Sequence, residues 1–339
     1  MASAPPTYND PSSRKTFTIG TRSSKLALFQ TNLVVSALRD TWPDYSFKIH
    51  SKETAGDLNT TIAFREFTTK NLWTEELEEL LTAGHVDFIV HSLKDVPTVL
   101  PASCTLGPMM KREDSRDVLV MKKGLPNGGL SDLPAGSVVG TSSIRRTAQL
   151  ARLYPHLKVM DVRGNIGTRL AKLDAEDSPY SCIILAAAGL LRLDLGDRIS
   201  QYLDSKNGGM LYAVGQGALG IEIRKDDQVA HGMLKNIGHE ETTLATLAER
   251  SLLRTLEGGC SAPLGVETEW IQGSDGSRQI KMRAIVVSVD GKESAEVEID
   301  ESISSPEQAE NFGITVAKAL VEQGAGAILE AIQQNKKSS

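Results

Sequence analysis

The sequence predicts an α/β protein: two α/β domains joined by a hinge that the chain crosses twice, and a smaller α+β domain at the C-terminal end. Three observations carry this. Residues 16–112 alternate short apolar runs with helical patterns, residues 116–207 repeat that grammar, and residues 238–335 abandon it for helix, hairpin and two further helices. A chain of 339 residues, 40% of them hydrophobic, is long for one domain and comfortable for two or three, each with its own core.

In the first unit Thr16–Gly20 reads as a strand, Lys25–Arg39 as an amphipathic helix, Phe47–Ser51 as a strand, Leu72–Ala83 as a helix and Val86–His91 as a strand. That order implies a parallel sheet with helices on its faces. The second unit repeats it: strand Ser137–Gly140, helix Ile144–Tyr154, strand Lys158–Val162, helix Thr168–Asp174 and strand Ser181–Ala186. The repetition reaches single residues. Ile19-Gly20-Thr21-Arg22-Ser23 opens one unit and Val139-Gly140-Thr141-Ser142-Ser143 the other. In the third unit Glu241–Leu256 is helical and stops at Gly258-Gly259, strands near 280–289 and 294–300 turn at Asp290-Gly291, and helices follow over Pro306–Glu322 and Ala325–Gln333. The Gly-rich apolar stretch Leu211–Ile223 reads as a strand returning to the first sheet. The expected domains are therefore 16–112 plus 212–236, 116–207, and 238–335, after a disordered polar tail over 1–15. Crossings near 112–116 and 207–212 make a hinge, with a cleft between the carboxyl ends of the two sheets.

Bulk properties exclude several classes. The net charge of −6 argues against a nucleic-acid-binding surface. Three cysteines, Cys104, Cys182 and Cys260, show no CxxC spacing, and the six histidines show no HxxxH or HExxH pattern, so neither a disulfide framework nor a metal site is expected. No apolar run approaches the roughly 20 residues of a membrane helix, and the first 15 residues lack the apolar core of a signal peptide. Reduced thiols and no leader lead to the expectation of a cytosolic protein.

Local charge is concentrated. Thr141–Lys172 holds Arg145, Arg146, Arg152, Lys158, Arg163, Arg169 and Lys172 against one acid, Asp161, which is +6 in 32 residues. Arg145 and Arg146 fall in the first turn of a helix, directly after Thr141-Ser142-Ser143. Arg163 and Arg169 bracket Gly164-Asn165-Ile166-Gly167-Thr168 between a strand and the next helix. Cations at a helix N-terminus oppose its dipole unless an anion is bound there. Free N–H groups, hydroxyls and guanidinium forks then form an anion site. The first domain supplies a facing edge: Arg22 and Ser24 at its first strand–helix junction, Gln30 two turns along, and His91-Ser92-Leu93-Lys94-Asp95-Val96-Pro97 at the end of its third strand. The second domain's equivalent of that last segment ends at Arg192. Lys94 and Asp95 emerge at the carboxyl end of a buried strand, where open α/β sheets bind ligands. An acid among so many cations stays ionised and can stabilise a cation or move a proton. Cys260 stands in Leu256-Glu257-Gly258-Gly259-Cys260-Ser261-Ala262-Pro263, a constrained loop. Cys182 instead opens a buried strand, and Cys104 reads as a loop residue with no pattern around it.

Six segments in order resemble the hydroxymethylbilane synthase (porphobilinogen deaminase) family. They are Gly20–Ser24, His91–Pro97, Val139–Arg146, Arg163–Leu170, Ala213–Ala218 and Leu256–Pro263, and the likeness spans about residues 16–335. The resemblance implies two domains like those of periplasmic binding proteins plus a smaller third. It implies a transferase that joins four porphobilinogens head to tail on a dipyrromethane cofactor, thioether-linked to Cys260, with release of ammonia and of the linear tetrapyrrole hydroxymethylbilane. It makes Asp95 the catalytic residue, stabilising an azafulvene-like cation. Lys94, Asp95, Thr141, Ser142, Ser143, Arg145 and Arg146 become cofactor contacts, and Arg22, Ser24, Gln30, Arg163, Arg169 and Arg192 positions for substrate and the growing polypyrrole chain. It implies no metal, a monomer, no membrane or nucleic-acid partner, and a product passed to uroporphyrinogen-III synthase. The chemistry agrees, because each pyrrole ring carries an acetate and a propionate, and only many fixed guanidinium groups could hold such a polyanion. One departure stands out. Relatives often carry Gly-Gly-Lys-Gly-Leu-Phe where this chain has Thr68-Thr69-Lys70-Asn71-Leu72-Trp73, so the mobility of that loop is not carried over. A non-enzymatic two-domain anion-binding protein is the alternative; the missing leader and Cys260 on its Gly-Gly loop weigh against it. A thiol enzyme using Cys260 directly lacks a base partner in the sequence.

Overall fold

The computed structural model describes residues 14–53, 74–256, 262–273 and 276–337. The first domain runs β1 (Thr16–Arg22), α1 (Lys25–Thr41), β2 (Ser46–Lys52), α2 (Glu75–Thr82), β3 (Phe88–Ser92) and β4 (Cys104–Leu106). In α1 the buried residues Ala27, Gln30, Thr31, Val34, Val35 and Leu38 form one stripe. That spacing makes the segment a helix and lays it on the sheet, against Phe17, Ile19, Phe88 and Ile221.

The second domain runs β5 (Asp117–Met121), β6 (Val138–Gly140), α3 (Ile144–Leu153), β7 (Lys158–Met160), α4 (Ile166–Asp174), β8 (Cys182–Ala186), α5 (Ala187–Arg192) and β9 (Gln201–Leu203). The chain then returns as β10 (Leu219–Arg224) and α6 (Gln228–Lys235). The two sheets share one plan, β2-β1-β3-β10-β4 and β7-β6-β8-β5-β9.

Neither sheet is purely parallel, which corrects the expectation. β1 pairs parallel with β2 and β3, but β10 runs antiparallel to β3, with Leu219 opposite Ser92. In the second sheet β5 runs antiparallel to β8, with Asp117 opposite Ala186. The reason is the hinge. Each crossing enters its sheet at the carboxyl edge of the neighbouring strands, so the entering strand must run the other way. β5 is also buried along its whole length, so it shows no alternation and is not legible as a half-exposed strand. β4 and β9, three residues each, are likewise absent from the sequence reading, and so is the long strand β11.

The crossings touch and act alike. Leu93, the residue after β3, donates its N–H to Ala218 O at 3.0 Å, and Ala187, the residue after β8, donates to Arg116 O at 3.0 Å. Glu113 N–H donates to Gly217 O at 3.2 Å. Gly217 has φ +85°, and a side chain there would collide with the Glu113 carbonyl, so the close approach of the two crossings requires glycine.

The third domain contains α7 (Glu240–Thr255), β11 (Leu264–Gln272), β12 (Arg278–Val287), β13 (Ser294–Glu301), α8 (Pro306–Glu322) and α9 (Ala325–Lys337). Its antiparallel sheet β11-β12-β13 shares a core with α7 and α8 built on Leu252, Val266, Phe312, Val316 and Leu320. It docks on the returning crossing, where Tyr212 and Val266 exchange backbone hydrogen bonds of 3.0 and 2.8 Å. Arg14 and Lys15, read from sequence as tail, belong to the fold. Arg14 pairs with Asp87 at 3.1 Å and lies over the Phe17 ring, and Lys15 lies over Tyr45.

Gly313 marks the closest approach of α7 and α8, since a Cβ there would meet Ala248 O and come within 2.7 Å of Ser251 Cβ. Gly313→Ala is expected to lose about 1–3 kcal/mol through overpacking. Gly232→Ala, inside α6 with open space at the Cβ position, should gain about 0.5–1 kcal/mol from helix propensity. Urea unfolding of both variants checks the contrast; a neutral Gly313→Ala would show that the helices separate freely.

Candidate active site

Domain 1 presents its edge through a helix cap, a side-chain pair and a backbone turn. Ser24 caps α1, accepting the Ala27 N–H at 3.3 Å, two residues beyond Arg22 at the end of β1. Gln30 is buried on α1, and its amide exchanges hydrogen bonds with the Ser92 hydroxyl at 3.0 and 3.1 Å. Ser92 ends β3, and Leu93–Asp95 then form a single 3-10 turn closed by Val96 N–H to Leu93 O at 3.1 Å. Leu93 is buried beneath this turn, Lys94 is half-buried and Asp95 is exposed.

Domain 2 answers with the corresponding junction. Thr141, buried at the end of β6, accepts the Ser143 N–H on its hydroxyl at 3.2 Å. Ser142 Oγ donates to Val162 O at 3.0 Å, and Ser143 caps α3. The arginines that follow are buried, 4% and 6% exposed, and their anion is part of the chain. Asp117 Oδ2 accepts Arg145 Nη1 at 2.8 Å and Arg146 Nε at 3.1 Å, while Oδ1 accepts Arg146 Nη2 at 2.6 Å. Arg145 Nη1 also donates to Leu211 O, and Arg146 Nη1 to Ile184 O. The expectation that a helix N-terminus carrying two arginines requires a bound anion is thereby corrected. A carboxylate 28 residues upstream fills that role.

Asp117 and Gln216 are buried links at the centre of the cluster that the sequence reading missed. Gln216, fully buried on the returning crossing, donates from Nε2 to Asp117 Oδ1 and to Ser115 O, both at 2.8 Å, and its Oε1 accepts Lys94 Nζ at 3.5 Å. One amide thus connects the Lys94–Asp95 turn of domain 1 to the arginine pair of domain 2. No local window could show it, because Lys94, Asp117 and Gln216 are far apart in the chain.

Electrostatics report the same convergence. Burial pulls the Lys94 ammonium down to about 8; Asp95 and Asp117 oppose this, and Arg146 and Arg145 reinforce it. Burial, Arg146 and Arg163 pull Arg169 down to about 10 against the attraction of Asp95. Arg169 Nε donates to Gly164 O at 2.7 Å, and Asn165 caps α4 through the Thr168 N–H at 2.9 Å. Arg163 is half-buried beside it. Arg192, at the end of α5, donates to Gly217 O at 2.7 Å, and burial lowers it despite Glu113. Lys94, Asp95, Arg145, Arg146, Arg163 and Arg169 therefore share one field across the cleft, with Arg192 at the hinge and Ser24 and Gln30 supporting the domain-1 edge.

Cys260 and the loop Thr68–Trp73 lie outside the described residues. Cys104 is not in a loop: it opens β4 and is buried, and burial together with Glu222 raises its thiol. Burial pushes Cys182 up to about 12. Neither is a nucleophilic thiolate near neutrality.

The Asp117 carboxyl lies well below the usual carboxylate range: burial would raise it, and Arg145 and Arg146 outweigh burial. A depressed acid contributes stability that is fully present above its unfolded value of about 4 and is lost as pH falls through the folded value. Asp117→Asn leaves two buried arginines uncompensated and is expected to cost about 3–5 kcal/mol at pH 7. The deficit should shrink below about pH 4, as the same carboxyl takes up a proton in the unfolded chain and draws the parent towards unfolding. Urea titrations across pH check this; equal stability at pH 7 would show that Asp117 is not the counter-charge on which the arginine pair depends.

The chain is similar to known proteins along most of its length. Residues 17–232 match the family model for the porphobilinogen deaminase dipyrromethane cofactor binding domain, and residues 243–322 match the porphobilinogen deaminase C-terminal domain. The porphobilinogen deaminase of Neurospora crassa is 50% identical over 331 residues, covering 96% of each chain. That of Yarrowia lipolytica is 51% identical over 333 residues, covering 97% of this chain and 96% of its own. Among solved structures, the methionine-binding protein MetQ overlaps 74% of this chain and 98% of its own, at 12% identity and a TM-score of 0.39. With both family domains matched in order and relatives half identical along nearly the whole length, the chain belongs to the porphobilinogen deaminase (hydroxymethylbilane synthase) family.

Proposed function

We propose that Asp95 is the catalytic carboxylate of this deaminase, that Cys260 carries the dipyrromethane as a thioether, and that the arginine cleft holds the primer and the chain grown on it. The observation that carries the reading is the link through Gln216, whose amide joins Lys94 of the Asp95 turn to Asp117, the counter-charge of Arg145 and Arg146, across the domain boundary.

The residues present suit a polyanionic pyrrole. Lys94, Arg145, Arg146, Arg163, Arg169 and Arg192 outnumber the acids Asp95 and Asp117. The Nε–H groups of Arg145 and Arg192 are buried without a hydrogen-bond partner among the described residues. The site thus holds more donor capacity than its own carboxylates take up, and Arg engages carboxylates bidentately. Lys94, Thr141, Ser142, Ser143, Arg145 and Arg146 are the positions that would surround the dipyrromethane; Arg22, Ser24, Gln30, Arg163, Arg169 and Arg192 are assigned to substrate and the lengthening chain. When bound, the dipyrromethane supplies the pyrrole carbon to which the first porphobilinogen is joined.

The protein's part is electrostatic and acid–base. The exposed Asp95 carboxylate stabilises the positive charge that develops on a porphobilinogen as ammonia leaves. It also accepts the proton released from the ring carbon after coupling. Lys94, held near neutrality's upper edge by burial, supplies a positive charge beside the carboxylates of the rings. Moving a substrate-derived carbon onto an acceptor makes the enzyme a transferase. The same reading has the chain working as a cytosolic monomer and releasing hydroxymethylbilane for ring closure by uroporphyrinogen-III synthase.

Intact-mass measurement of the active protein should show an adduct of two pyrrole units, absent from Cys260→Ser; an unmodified mass for active protein would sink the attachment. Asp95→Asn should keep its fold and its adduct while turnover falls at least about 100-fold. Turnover near that of the parent would take Asp95 out of the mechanism.

A further inference from the structure

Arg250 lies in α7, the helix that leads towards Cys260, and its side chain is buried. It reaches out of domain 3 into domain 1. Nη1 donates to Val96 O at 3.0 Å and Nη2 to Pro97 O at 2.6 Å. These are the two residues directly after Asp95. A planar fork that takes two successive carbonyls sets their orientation as well as their distance, which an apolar contact would not do.

The turn that carries Asp95 is consequently held at both ends. Leu93 N–H is fixed to Ala218 O on the returning crossing, and Val96 and Pro97 are fixed to Arg250. The Asp95 side chain itself is exposed, so its place in the cleft follows from the backbone of this turn. The residue preceding Arg250 reinforces the anchor. Glu249 is buried and takes Arg112 in a bidentate pair at 2.6 and 3.0 Å, and it also accepts the Gly215 N–H at 2.7 Å. Adjacent residues of one helix thus grip the hinge and the turn.

We propose that Arg250 is a positioning residue for the reaction: it fixes the Lys94–Asp95 turn to the helix that leads to the primer's attachment loop, so that the two ends of the growing chain are referred to one rigid frame. The inference rests on the reading of Asp95 as the catalytic carboxylate. It acts at every addition alike, because the same turn serves each coupling.

The test uses the full-length holoenzyme with Arg250→Met and Arg250→Lys. In Arg250→Met, amide exchange over residues 93–97 should quicken about tenfold, while α7 and the β11-β12-β13 sheet keep their protection. The kcat should fall about tenfold with KM within about twofold, the split expected when the reacting geometry and not substrate binding is disturbed. The intermediates carrying one, two or three added rings should keep the parent's proportions. Arg250→Lys, with one ammonium in place of a fork, should fall between the two. Unchanged exchange over 93–97, an unchanged kcat, a rise in KM alone, or accumulation of a single intermediate would each overturn the inference. Should Arg250→Met not fold, Arg250→Lys decides: exchange over 93–97 as slow as the parent's overturns it. Parent-like exchange together with an inactive Asp95→Asn refutes Arg250 alone, whereas a loosened turn with an active Asp95→Asn refutes the reading of Asp95.

Discussion

One buried carboxylate organises the centre of this molecule. Asp117 is the first residue of the strand that enters domain 2, and it holds Arg145 and Arg146 side by side at the start of α3. Two guanidinium groups in the dry base of a cleft would repel each other and oppose the helix dipole. With Asp117 between them the pair is held together and its mutual repulsion is offset. The chain crosses between domains at this point, so the arginine pair is held by the hinge strand itself, and Gln216 on the other crossing joins the same cluster.

The architecture follows from that junction. Both domains admit their crossing strand antiparallel at the carboxyl edge of the sheet, and both use the crossing to pin the first residue after the third strand. The result is a pair of facing edges, Lys94–Asp95 on one and the arginine turns on the other. Domain 3 stabilises the arrangement from behind through the Glu249–Arg112 pair and the Tyr212–Val266 backbone bridge.

Much of the site was legible because its residues sit in local motifs. The Gly-Thr turns after β1 and β6, the Ser caps and the paired arginines all fall within a few residues of one another, so the pattern and its chemistry appear together. The seams were not legible. Asp117 begins a fully buried strand with no alternation to reveal it, Gln216 looks like one more residue of a Gly-rich stretch, and Arg250 resembles an ordinary helical surface charge until its fork is found on Val96 and Pro97. Cys104, read as a loop residue because no pattern surrounds it, proves to be a buried strand residue.

The amino-acid sequence by itself determined the α/β repeat, the hinge with two crossings, the cationic turns of domain 2, and the acid at the end of the third strand. Each depends on short-range periodicity or on turn and cap chemistry. Only the tertiary structure decided which anion balances Arg145 and Arg146, why each sheet carries an antiparallel strand, and what holds the Asp95 turn in place. Those answers depend on contacts between residues from 28 to 154 positions apart, and such contacts arise only when burial in one core brings distant strands to the same edge.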